Sequence, residues 1–346
     1  MSQKHQANET AVLVLALTIT LGLVGCVYWW LVNNGVISNF PKNSSSQVVQ
    51  PKDDTFAQVR NVPSGLFSHG GSTTWASIRR EVDPLIQTAQ PQFRLRYTDP
   101  TTGAPGTTSG VKMLLSNQLA FSESSRSIKQ EEYQQAQHLN ITLKEIPVAI
   151  DAIAIAVNPN LNIPGLTLAQ LKDIYTGRIT NWKQVGGPEL AIIPYSRHLE
   201  DGGTIQFFDE NILGGEKFAD NVQFIPRTTE ALQKLAKNPG GIYYASAPEI
   251  VGQCTVKSLP VGHQSDRLIP PYQEPFVSLE QCPQQRNQIN AAAFQSGEYP
   301  ITRRLFVIVK QNGQSDDQQA GESYIKLLQT TQGKELITKA GFVTIR

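Results

Sequence analysis

The sequence predicts an α/β protein with mostly parallel sheets, large enough for two lobes. Three observations carry that prediction. Segments with a 3–4 residue apolar period alternate with short runs of branched apolar residues along most of the chain. The chain has 346 residues, more than one small core organises. No stretch repeats at solenoid length.

The first element is the uncharged run "AVLVLALTITLGLVGCVYWWLV", Ala11 to Val32. As a helix its residues would extend about 33 Å, against a bilayer core of roughly 30 Å. Tyr28, Trp29 and Trp30 stand near its far end, where an interfacial belt belongs. Residues 1–32 are therefore expected to be an N-terminal membrane anchor or signal segment, with an uncleaved transmembrane helix favoured. Two rivals stay open: a cleaved signal peptide, and a lipoprotein signal in which Leu23-Val24-Gly25-Cys26 acts as a lipobox. All three export the rest of the chain and tether or release it outside the cytoplasm. Residues 33–54, rich in Asn, Ser and Pro, read as a flexible linker.

The folded body then opens with a short strand and the turn Gly70 to Thr74. Trp75, Ile78, Val82, Leu85 and Ile86 mark the helix that follows. "QFRLRYTDP" alternates and reads as a strand. "GTTSGVKMLLSNQLAFSESSRS" repeats the pattern: a hydroxyl-rich turn, a helix carrying Val111, Leu114 and Leu115, and a strand. "ITLKEIPVAIDAIAIAVNP" reads as two buried strands near Asp151. Thr167 caps a helix in "LTLAQLKDIYTGRITNWKQVGG". "TEALQKLAKNPGGIYYA" is a helix stopped by Asn-Pro-Gly-Gly and followed by a strand. "RRLFVIVK" is a strand, and two closing helices end the chain.

Bulk properties exclude some functions. A formal net charge of +1 argues against nucleic acid held by bulk electrostatics. Of the histidines His5, His69, His138, His198 and His263, none forms an H-x-x-x-H pair, and no phosphate-binding P-loop motif occurs. No metal, no cofactor and no catalysis are expected. Cys254 and Cys282 are an even pair in an exported body, which suggests one disulfide; two buried thiols are the alternative.

The informative motif is a recurrence. Gly71-Ser72-Thr73-Thr74, Thr107-Thr108-Ser109-Gly110 and Gly202-Gly203-Thr204 each place small hydroxyls and glycine just before a helix. Helix starts present unpaired N–H groups and a positive dipole end, which together favour an anion. Arg197 adds a planar fork of donors suited to phosphate or carboxylate, with Glu200 or Asp201 placed to orient it. The rival reading is that turns before helices simply favour these residues as caps.

"LTLAQLKDIYTGRITNWKQVGG", "YPITRRLFVIVK" and "YIKLLQTTQGKELITKAGFVTI", with the hydroxyl-rich turns in order, resemble the substrate-binding proteins of ABC-type phosphate uptake. The resemblance runs from about Val59 to Ile345. It implies a two-lobed periplasmic-binding-protein fold of type II, with lobe one at 55–149 and 256–346 and lobe two at 150–255. It implies a monomeric receptor that holds inorganic phosphate between lobes that close by hinge bending, and hands it to an ABC permease. A binding module for phosphate or another oxyanion, not coupled to transport, is the second function considered. By motif, the ligand contacts would be Thr73 and Thr74, Thr108 or Ser109, Ser124 or Ser125, then Arg197, Gly202, Gly203 and Thr204. Family members that reject sulfate often carry an aspartate where this chain has Ser125. Glu123 and Asp151 are the candidates for that missing proton acceptor; the rival readings are a solvated strand-end acid and a structural crossover residue.

Overall fold

The computed structural model describes residues 54–199, 202–311 and 315–345. Its main sheet has the strand order β2-β1-β3-β12-β4-β8-β6-β7, with β9 and β13 also paired to β4. The strands are β1 (Gly65–Gly71), β2 (Phe93–Tyr97), β3 (Phe121–Ser124), β4 (Thr142–Val157), β5 (Leu166–Thr167), β6 (Ile193–Ser196) and β7 (Gln223–Phe224). They continue as β8 (Gly241–Ser246), β9 (Lys257–Leu259), β10 (Val261–Gln264), β11 (Arg267–Ile269), β12 (Thr302–Gln311) and β13 (Val343–Thr344). A separate small sheet runs β11-β10-β5.

The α/β class is as predicted, but the sheet is mixed rather than mostly parallel. β1 lies parallel to β2 and β3, and β6 lies parallel to β7 and β8. Between these outer groups, β12 and β4 run antiparallel to each other and to their neighbours β3 and β8. The predicted pair of strands around Asp151 is one continuous strand. β4 spans 16 residues, about 50 Å at strand rise. It needs no break because different partners satisfy its two ends. Residues 142–152 pair with β12, and residues 153–157 pair with β8 and partly with β9.

Among the described residues, buried apolar side chains collect in three clusters. One holds Trp75, Ile78, Phe93, Phe121, Val307 and Tyr324; a small neighbour holds Val111, Leu114 and Ile308. The largest holds Ile153, Tyr175, Trp182, Phe208, Tyr244 and Tyr299. The helix Ala76–Ala89 buries Ile78, Val82 and Ile86 at the predicted spacing, while Leu85 faces out at 42% exposure. Thr167 caps the helix Leu168–Tyr175, its Oγ1 accepting from Gln170 N at 3.1 Å. Cys254 and Cys282 are joined in a disulfide with their Cα atoms 5.7 Å apart.

The expected transmembrane helix is corrected. Among the described residues no helix is long and apolar enough to cross a membrane. The longest, Ala76–Ala89 and Asp316–Gln329, have 14 residues each, about 21 Å, and carry polar faces. The run 11–32, on which the expectation rested, and residues 33–53 lie outside the described residues.

Candidate functional site

The site is built around a buried arginine that the sequence reading passed over. Arg303 sits at the start of β12, facing Asp151 of β4 in register. Its Nε and Nη2 donate to Asp151 Oδ2 at 2.9 and 2.8 Å. Nη2 also donates to Thr74 Oγ1 at 3.0 Å and to Thr204 Oγ1 at 2.9 Å. Those two hydroxyls are 3.5 Å apart. One guanidinium thus joins the first hydroxyl turn, the loop after β6 and the long strand β4. Arg303 Nη1 is buried and has no hydrogen-bond partner among the described residues, so a donor is left over. Asp151 is held from its other side by Ser246 Oγ, which donates to Oδ1 at 2.6 Å. Burial pushes the Asp151 carboxyl up, and the Arg303 charge and bonds only partly offset that.

Beside this junction lies a cavity of about 120 Å³ lined by Thr73, Thr74, Arg197, Thr204, Ile205, Thr228, Tyr243, Ala245 and Glu249. Drug-sized ligands need pockets of about 300–1,000 Å³, so this one suits a molecule of a few heavy atoms. Its lining is mostly hydroxyl and charged. A larger groove of about 610 Å³ runs past His263, Gln264, Arg267 and Glu298. Its arginine is exposed and already paired with Glu298 at 3.0 Å, and none of the hydroxyl turns reaches it. The small cavity is the better candidate.

The other hydroxyls form a knot next door. Ser72 Oγ donates to Ser125 Oγ at 3.0 Å, and Ser125 N donates to Thr107 Oγ1 at 3.1 Å. Ser124 Oγ lies 3.4 Å from Thr107 Oγ1. Gly202 and Gly203 close over this knot. Gly202 has φ +143°, a conformation that favours glycine, and a Cβ on Gly203 would overlap Ser125 Oγ. The three recurrent turns therefore do meet.

The residues named from sequence fall into distinct places. Thr73, Thr74, Arg197 and Thr204 line the cavity. Ser124, Ser125, Gly202 and Gly203 form the knot and its cover. Ser109 is used within its own turn, its Oγ accepting from Gly106 N at 2.9 Å and donating to Gly106 O at 3.0 Å. Thr108 accepts from Arg126 Nη2 at 3.0 Å, and Arg126 is itself clamped by Glu132. Glu200 and Asp201 lie outside the described residues.

Neither candidate acceptor is free. Asp151 serves Arg303 and Ser246. Glu123 is fully buried beneath the first turn, paired with Arg79 and with His69 Nδ1 at 3.2 Å. Burial by itself raises its carboxyl; the Arg79 and His69 charges outweigh that and hold it below the ordinary range. Arg79 in turn donates to Ser72 O at 3.4 Å, so this buried pair braces the turn rather than facing the cavity. Sequence reading also missed Ser72 and Thr107, although both stand inside the turns it singled out. It missed Thr228, Tyr243 and Glu249, which no local motif marks. Among the described residues no group of His, Cys, Asp and Glu could hold a metal ion.

Residues 51–330 match the family described as the PBP superfamily domain. The chain belongs to that superfamily. Among relatives of this PBP superfamily chain is the phosphate-binding protein PstS of Staphylococcus aureus (strain bovine RF122 / ET3-1). It is 28% identical over 275 residues, covering 76% of this chain and 75% of the relative. A putative phosphate ABC transporter substrate-binding protein with bound phosphate from Clostridium perfringens superposes with a TM-score of 0.64 at 23% identity. That match covers 82% of this chain and 100% of the other. An ABC-type phosphate transport receptor from Vibrio cholerae gives a TM-score of 0.61 at 21% identity, over 81% of this chain and 100% of that one. At these identities the two structures speak for the fold.

Proposed function

We propose that this chain is an extracytoplasmic solute receptor, not an enzyme, that binds inorganic phosphate in the small cavity and delivers it to an ABC permease. The observation that carries the reading is the convergence of Thr74, Thr204 and Arg303 beside a polar cavity that Arg197 also lines. Asp151 balances the Arg303 charge, and Arg197 lines the cavity together with the hydroxyls of Thr73, Thr74, Thr204 and Thr228. Hydroxyl donors at several angles suit a tetrahedral oxyanion. The sequence relatives named for phosphate binding support the same ligand. The Cys254–Cys282 disulfide fits an oxidising compartment outside the cytoplasm.

The receptor works as two lobes hinged on β4 and β12. Lobe one contains 55–149, and lobe two begins at 150, midway along β4. β9 pairs with residues 155–157 of β4, and Tyr299 and Ile301 share an apolar cluster with Tyr175 and Trp182. Both facts favour a return to lobe one near Thr302 over a return at Val256. Thr74 comes from lobe one and Thr204 from lobe two, so an anion touching both would hold the lobes closed.

Calorimetric titration of the protein, stripped of anion, tests the reading. Phosphate is expected to bind at micromolar or lower concentration. Arg197→Ala should weaken binding by about 30-fold or more, the cost of removing a charge-assisted contact from a desolvated anion being about 2–5 kcal/mol. Equal binding by parent and variant would place the ligand elsewhere.

A further inference from the structure

We propose that the Lys129–Glu210 ion pair, set outside the ligand cavity, is an electrostatic latch that holds the two lobes together and slows the escape of a bound anion. The inference rests on the two-lobed receptor reading above.

The moving half of the latch is one helix of lobe two. The loop after β6 enters the helix Gly203–Phe208, which runs on as the π turn Asp209–Leu213. Its first turn carries Thr204, which accepts from Arg303 beside the cavity. The same helix then leaves the cavity and crosses lobe one. Gln206 Oε1 accepts from Thr108 Oγ1 and from Arg126 Nε, each at 3.4 Å. The Phe207 ring lies 5.8 Å from the Arg303 guanidinium carbon. Glu210 reaches Lys129, its Oε1 2.6 Å from Nζ. Glu210 follows Thr204 by six residues, about 9 Å at helical rise. Neither Lys129 nor Glu210 lines the small cavity.

The receiving half is an edge of lobe one that does not depend on closure. Lys129 immediately precedes the helix Gln130–His138. Glu132, in the first turn of that helix, accepts from Lys129 N at 2.9 Å. It also clamps Arg126 through Nη1 and Nη2, at 2.9 and 2.8 Å. All of these partners belong to lobe one, so the edge keeps its shape when the lobes part.

The pair itself is placed to release. Lys129 and Glu210 are 33% and 45% exposed. With Arg126 and Phe207 they line a groove of about 410 Å³ between the lobes. Water and salt reach the pair there, so its contribution is small and screened. The pair exists only where the lobes meet, so that contribution goes to the closed state alone. It is felt as tighter binding and slower release of a ligand that needs closure.

The test uses the parent, Lys129→Glu, Glu210→Lys and the double variant with the two charges exchanged, each first checked for a parental thermal melt. Phosphate affinity is measured by calorimetry, and release by chasing labelled phosphate with unlabelled, at about 20 mM and about 500 mM NaCl. Glu189→Gln, which breaks the 2.6 Å Lys183–Glu189 pair inside lobe two, is the control. At low salt each reversal should weaken binding about threefold or more, through faster release, and the exchange should return it to within about twofold of the parent. At high salt all four proteins should converge, and the control should follow the parent throughout. Parental affinity in both reversals, or an exchange no better than the reversals, overturns the latch while leaving the receptor reading intact. A parent that binds no phosphate overturns both.

Discussion

Replacing Arg303 with methionine should be the most damaging single change at the site, and for a reason separable from ligand binding. Arg303 and Asp151 have side-chain exposures of 2% and 0%, with a shortest contact of 2.8 Å. Methionine keeps much of the stem volume and removes the charge. Asp151 is then left buried with the Ser246 hydroxyl and a backbone N–H as partners. Breaking one side of a buried pair costs about 3–5 kcal/mol. The Thr74 and Thr204 hydroxyls can still bond each other across 3.5 Å, so their loss adds little. The Asp151 carboxyl, already raised by burial, must rise further. A carboxyl whose folded pKa exceeds its unfolded value contributes stability that is present below the unfolded pKa and lost as pH rises through the folded one. The defect should therefore be larger at pH 8 than at pH 5. Urea denaturation followed by fluorescence of the buried Trp75 and Trp182 reads it directly. Asp151→Asn combined with Arg303→Met should recover more than half of the loss. A single variant within about 1 kcal/mol of the parent, or a double variant no better than the single, would refute the reasoning.

Three further expectations follow from other parts of the molecule. Gly203→Ala should weaken phosphate binding at least tenfold, because its Cβ meets Ser125 Oγ, and adding Ser125→Ala should restore much of the affinity; parental affinity in the single variant would mean the loop does not close on β3. Asp83, beside His69 and Tyr324, has a carboxyl that burial pushes up to about 6. Its folded-state stability contribution is full below pH about 4 and lost as pH rises through 6, so Asp83→Asn should gain about 1–3 kcal/mol at pH 8 and nothing at pH 4 in the same urea assay. Removing the disulfide, which spans 28 residues, should cost about 3.6 kcal/mol by loop-closure entropy, measured as a lower urea midpoint in the Cys254→Ser/Cys282→Ser variant.

Much of the fold was legible because local chemistry and global packing agree. Ile78, Val82 and Ile86 mark a helix face that the protein does bury, and Thr167 stands where a cap is required. The continuity of β4 was not legible. A strand that changes partners halfway carries no break in its own sequence, and Asp151 looks like a turn residue until Arg303 is placed opposite it. The site divides in the same way. Thr74, Arg197 and Thr204 belong to turns with a local signature. Arg303 lies far along the chain in "YPITRRLFVIVK", where its only signal is the alternation that turns Arg303 inward and Arg304 outward. A charge on the inward face of a strand is a sign of a site, and it is visible once the period is counted. Glu249 has no such sign. Only the assembly of the helix after β8 against the loop after β6 brings it to the cavity.

The central claim is that an oxyanion sits where Thr74, Thr204 and the two arginines converge, and a crystal structure grown with phosphate tests it most directly. A tetrahedral anion is expected in the small cavity, within hydrogen-bond distance of Thr74, Thr204 and Arg197. Phosphate found only in the open groove beside Arg267, or a cavity left to water at saturating phosphate, would contradict it.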